Sequence, residues 1–64
     1  MNDIAITENV TIIVTVSGSM RKFKRTVQVT TDGSWLAVDR TIKAQVYREF
    51  AEFPIYHIGW YYPA

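Results

Sequence analysis

The chain has 64 residues, 48% of them hydrophobic and 20% charged, with a net charge of +1 and no cysteine. That length holds one small domain, residues 1–64, and excludes a Rossmann unit with a substrate domain, a kinase or an α/β-hydrolase. Without cysteine there are no disulfide staples and no thiolate metal sites, and a lone histidine, His57, supplies too few nitrogen ligands for most transition metals.

Residues 1–9 carry no strong pattern and are expected to be loosely ordered. Their acid, Asp3, stands where a secretory signal would be basic, so the protein reads as cytoplasmic, in a host cell if phage-encoded. No run approaches the roughly 20 apolar residues of a membrane span.

From Val10 the chain turns β-branched. Val10, Ile12, Val14 and Val16 make one apolar row, with Thr11, Ile13 and Thr15 opposite. Because Ile13 adds apolar surface to the second face, this strand is expected at the centre of a sheet. Ser17-Gly18-Ser19 forms a turn, and Phe23, Val27 and Val29 then alternate with polar residues as in a half-buried antiparallel strand. Arg25 interrupts that apolar row, but near a hairpin tip its stem can lie on apolar surface while the guanidinium reaches water.

Thr31-Asp32-Gly33-Ser34 has two readings. Asp-Gly is a strong hairpin signal, which would make Trp35 to Val38 a third strand. With Asp32 or Ser34 as an N-cap instead, Trp35, Val38, Ile42, Val46, Phe50 and Phe53 fall on one helical stripe. The second reading accounts for more residues and predicts a helix from about 35 to 52. Arg40, Lys43, Tyr47, Arg48 and Glu52 form its polar face, and Pro54 stops it. Asp32 and Asp39 then suit the positive end of the helix dipole, and Glu49 and Glu52 read as solvated surface.

The aromatic and β-branched segment Ile55 to Tyr62 reads as a final strand, with Tyr56, Ile58 and Trp60 facing the helix and Ile55, His57 and Tyr61 on the open face. The whole is an α+β fold: a small ββαβ domain whose three-stranded antiparallel sheet, first strand central, packs on one helix.

Two features suggest contacts with other molecules. Arg21-Lys22-Phe23-Lys24-Arg25 holds four of the seven Lys and Arg residues, with no acid between Glu8 and Asp32. Such a finger could steer an acidic partner, or it could simply protect a strand end from aggregation. Late in the chain, Tyr56, Trp60, Tyr61 and Tyr62 belong to an aromatic cluster too large for a small interior, so some must be exposed as contact surface. His57 lacks catalytic companions, Ser17 and Ser19 are turn residues, and the acids form no metal cluster. No active site, cofactor or metal is assigned.

The element order and length resemble those of small bacteriophage proteins that bind and disable a host machine, such as short phage inhibitors of host RNA polymerase. That resemblance implies a non-enzymatic module, from a phage or mobile element, that inhibits or modulates a larger bacterial protein or assembly by surface occlusion. It involves no shared residue motif, so no target or contact residue carries over. The alternative is a small nucleic-acid-binding or transcription-regulating protein gripping phosphates with the finger. Four neutralised phosphates would then give a logarithmic salt slope of roughly −3 to −4. A homo-oligomer is a third expectation, since so small a core rarely supplies more than about 3–5 kcal/mol.

Overall fold

A computed structural model describes residues 4–64. It contains β1 (Ile6–Val16), β2 (Lys22–Thr31), α1 (Trp35–Glu49) and β3 (Ile55–Tyr61). The strands form one sheet in the order β2-β1-β3, antiparallel throughout, with β1 in the middle. This is the ββαβ architecture the sequence predicts.

β1 starts at Ile6 rather than Val10. Its ladder with β2 continues through Thr7↔Thr30 to Ile6↔Thr31, and the two threonine hydroxyls bond across it at 2.9 Å. Residues 6–9, expected to be loosely ordered, are therefore strand, because pairing with a long partner compensates for their weak local pattern. Residues 1–3 of that expectation lie outside the described segment.

In the connection to the helix, the Asp-Gly hairpin does not form. The Asp32 carboxylate accepts the Ser34 N–H at 2.9 Å, and the Thr31 hydroxyl accepts the Gly33 N–H at 2.9 Å. Ser34 is the N-cap, its hydroxyl accepting the Ala37 N–H, which satisfies one of the donors a helix start leaves unpaired. Gly33 is required here. Its φ is +87°, and an added Cβ would fall 2.6 Å from the Ile6 side chain.

The helix ends at Glu49, three residues before the expected 52. Phe50 still donates to the Val46 carbonyl at 2.8 Å, but Phe53 donates to the Phe50 carbonyl, turning the chain. Pro54 has no N–H to extend the helix and disfavours helical geometry at Phe53. Its carbonyl instead accepts the Ser17 N–H at 2.7 Å, tying the start of β3 to the end of β1.

The core is a layer of small branched side chains. Val10, Ile12, Val14 and Val29 from the sheet meet Val38, Ile42 and Val46 from α1, with Val27, Phe50, Ile55, Ile58 and Trp60 at its margins. The stripe predicted for the helix holds in the middle and fails at its ends, where Trp35 and Phe53 are 65% and 56% exposed. Trp35 opens the helix and lies against the Trp60 ring, at 5.9 Å between centroids. Phe53 follows the last helical residue, so helical periodicity no longer sets its direction.

β3 carries one irregularity with consequences for the surface. Thr15 pairs with His57 and Val16 with Ile55, leaving Tyr56 unmatched in a bulge. The bulge switches the face of everything before it. Ile55 joins Ile58 and Trp60 beside the core, whereas Tyr56, expected to face the helix, is 65% exposed.

Replacing Ser34 with Ala is expected to cost about 1 kcal/mol through loss of the cap, read as a lower urea midpoint. Gly33→Ala should cost more, since the left-handed backbone alone costs about 1–2 kcal/mol and Ile6 must also move. Equal stability of the two variants would show that the turn can relax away from this geometry.

Candidate partner-binding surface

The basic finger does not act as one unit, because strand alternation divides it between the two faces of β2. Arg25 opposes Ile12 and Phe23 opposes Val14, both on the helix-facing side. Lys22 opposes Thr15 and Lys24 opposes Ile13 on the other side. Arg25 reaches across to α1 and forms an ion pair with Glu49, whose other carboxylate oxygen accepts from Gln45 at 3.2 Å. Arg21 is placed over the Phe23 ring, 5.4 Å from its centroid. Among the described residues, Arg21, Lys22 and Lys24 have no ion-pair partner.

Around this end of the sheet the aromatic side chains form a chain of contacts. Phe23 lies 5.6 Å from Phe50, and Phe50 lies 6.0 Å from Phe53 in an edge-on arrangement. Phe23 and Phe53 are exposed, as is Met20 in the turn. Behind the Phe23–Phe50 pair, between β2 and the last turns of α1, is a slot of about 200 Å³. Ile12, Val14, Val46, Phe23 and Phe50 line it, together with Lys24 and Arg25 of β2. Pockets for small ligands run from about 300 to 1,000 Å³, so this slot suits a single side chain better than a free metabolite.

The late aromatic residues are scattered by contrast. Tyr56, in the bulge, borders a second groove with Lys43 and Tyr47 of α1. Tyr61 opposes Thr11 on the sheet face that no helix covers, and His57 on the same face leans over Gly59, within 3.4 Å of where a Cβ would sit. Lys22 and Lys24 share that face from the far strand.

Trp60 and Tyr62 belong to a third region at the N-terminal end of α1. The Trp60 indole N–H donates to Asp39 at 2.9 Å, and Tyr62 packs edge-on against Trp60 at 5.5 Å. Half-buried and hydrogen-bonded, Trp60 braces β3 against the helix.

Asp39, expected at the helix start as a partner of the dipole, is not in the first turn, which contains no acid. Asp39 is in the second turn and is buried. The Trp60 hydrogen bond, followed by Lys43 at 3.0 Å, holds its carboxyl below the usual range. Glu49 is likewise no simple solvated acid. Its hydrogen bonds from Arg25 and then Gln45 also lower its pKa. The Ser34 amide does the same for Asp32. At Tyr62, burial first and then the nearby Glu8 charge push the phenol upward.

The sequence drew attention to Tyr56, Trp60, Tyr61 and Tyr62, yet the structure also joins Phe23, Phe50 and Phe53 in one run of ring contacts. Phe50 and Phe53 carried a usable signal in their position next to Pro54, where a helical stripe must run out. Among the described residues, no three His, Cys, Asp or Glu side chains gather to hold a metal ion, and no helix is long and apolar enough to cross a membrane. Comparison with protein families, curated proteins and solved structures returns no match for this chain.

Because Asp32, Asp39 and Glu49 all have lowered pKa values in the fold, their contributions are complete above the ordinary carboxylate range, about pH 4 to 4.5. They are lost as pH falls towards the folded pKa values, since the unfolded chain then binds more protons. Urea midpoints should be flat from pH 7 to about pH 5 and fall below that range. Asp39→Asn should lower the neutral-pH midpoint and make the acid decline shallower. An unchanged acid slope would remove Asp39 from this set.

Proposed function

We propose that the protein is a non-enzymatic binding module that inhibits or modulates a larger protein by covering part of its surface. The observation that carries this reading is the contiguous run Arg21–Phe23–Phe50–Phe53 around an apolar slot, with Phe23 and Phe53 exposed and Phe50 half-buried between them. Exposed aromatic side chains beside a pocket are the usual anchors of protein interfaces, and neighbouring cations steer the encounter. The partner of this reading is a larger bacterial protein or assembly, and the resemblance of the layout to small phage inhibitors is one of element order and length alone. Occlusion asks for little more than a rigid scaffold, a few anchors and steering charge.

The basic residues also answer a structural need. β2 is an edge strand, and lysines such as Lys22 and Lys24 discourage unwanted strand pairing. Protection accounts for the presence of charge but leaves the exposed phenylalanines without a role, and these favour a partner.

A second reading has one observation in its favour: Lys22, Lys24, His57 and Tyr61 share the uncovered sheet face, where single-stranded nucleic acid could stack and pair its phosphates. With Arg25 turned to the other face, Lys22 and Lys24 are the two Lys or Arg residues of the described sheet that serve that surface. The logarithmic salt slope then shrinks to about −1.4 at 0.7 per neutralised phosphate, much weaker than a four-cation finger would give.

A tagged pull-down from bacterial lysate, with and without nuclease, tests the two readings. The binding module should retain a stoichiometric protein after nuclease. Replacing Arg21, Lys22 and Lys24 with Ala should reduce that capture and its salt dependence, while Arg25→Ala should chiefly reduce stability. Recovery of nucleic acid alone would favour the second reading.

A further inference from the structure

The outer edge of β2 is unpaired, because the sheet order places β1 on its other side only. Along that edge the sequence alternates Lys22, Phe23, Lys24, with both lysines on the uncovered face and Phe23 beside the slot. A strand laid against β2 would present its side chains with the same alternation. The residue opposite Phe23 would point toward the slot, and its two neighbours would point to the lysines.

We infer that β2 accepts an extended acidic segment of a partner protein, of the form acid–apolar–acid, whose central side chain enters the slot between β2 and α1. The inference rests on the binding-module reading and specifies its partner. Strand addition draws affinity from main-chain hydrogen bonds and specificity from alternate side-chain sites. Here the specificity is set by charge, since Lys22 and Lys24 lack ion-pair partners among the described residues, and by size, since about 200 Å³ admits one side chain. Antiparallel pairing of β2 with β2 of a second copy, centred on the same Phe23, is disfavoured because it would bring Lys22 against Lys24. The lysines that guard the edge thus also select the strand allowed to join it.

Peptide probes provide the test. Acetyl-Thr-Glu-Leu-Glu-Thr-amide, titrated into the intact protein, should shift the backbone amides of Lys22 to Arg25 saturably and slow their exchange with solvent. A peptide with Ser in place of Leu should bind about tenfold more weakly, the loss expected from leaving one apolar side chain unburied. Lys22→Glu combined with Lys24→Glu, both at exposed positions, should weaken the acidic peptide by about tenfold or more and create a preference for the Thr-Lys-Leu-Lys-Thr analogue.

Equal response of the native protein to acidic and basic peptides, shifts centred on His57 and Tyr61, or no shift at millimolar peptide would each overturn the inference. If the intact protein retains a nuclease-resistant partner while the acidic peptide leaves β2 unmoved, the inference falls and the module reading stands. If neither binds, both fall.

Discussion

The structure depends on β1 being enclosed. It is hydrogen-bonded to a strand on each side, and its helix-facing row of Val10, Ile12 and Val14 forms the floor on which α1 rests. In a chain this short no second layer can substitute for it. β2, β3 and the helix each secure a different side of this strand, and each leaves one of its own sides exposed.

Those exposed sides determine what the surface can do. A core of valine and isoleucine is thin, and a single helix cannot cover the sheet from end to end. The larger aromatic side chains are therefore displaced to its margins, where they pack partly on one another and partly face solvent. Near the hairpin this gives a phenylalanine surface around a slot, and near the start of the helix it gives Trp35, Trp60 and Tyr62 braced by Asp39. The first surface has Arg21 over the Phe23 ring, a cation without an ion-pair partner among the described residues. The second has its indole N–H and carboxylate already satisfied by each other, which makes it the more structural of the two.

Edge management and recognition then draw on the same residues. Both β2 and β3 have an unpaired outer edge; β3 is short and bulged at Tyr56, whereas the longer edge of β2 is defended by charge. A charged edge repels most strands, including a second copy of itself, but attracts one of opposite charge. Arg25 is taken out of this role by Glu49, because alternation turns it toward the helix, where an unpaired guanidinium beside apolar side chains would be costly.

Much of the fold was legible in the sequence because periodicity acts locally. The alternation of Val10 to Val16, the three-and-four spacing of Val38, Ile42 and Val46, and Pro54 as a stop determined the elements, their order and the central strand. The cap could be narrowed to Asp32 or Ser34, since only short polar side chains reach back to the free amides of a first turn. Tertiary structure alone decided how far β1 extends toward its N-terminus, because that depends on which strand lies beside it. It also decided that Tyr56 and Ile55 exchange faces, because a bulge arises from closing the ladder at Val16, and that the five-residue basic run becomes two separate groups joined to different surroundings. Residue types and their spacing are local properties, but the partner across a strand and the side chain across a groove are set only when distant segments meet.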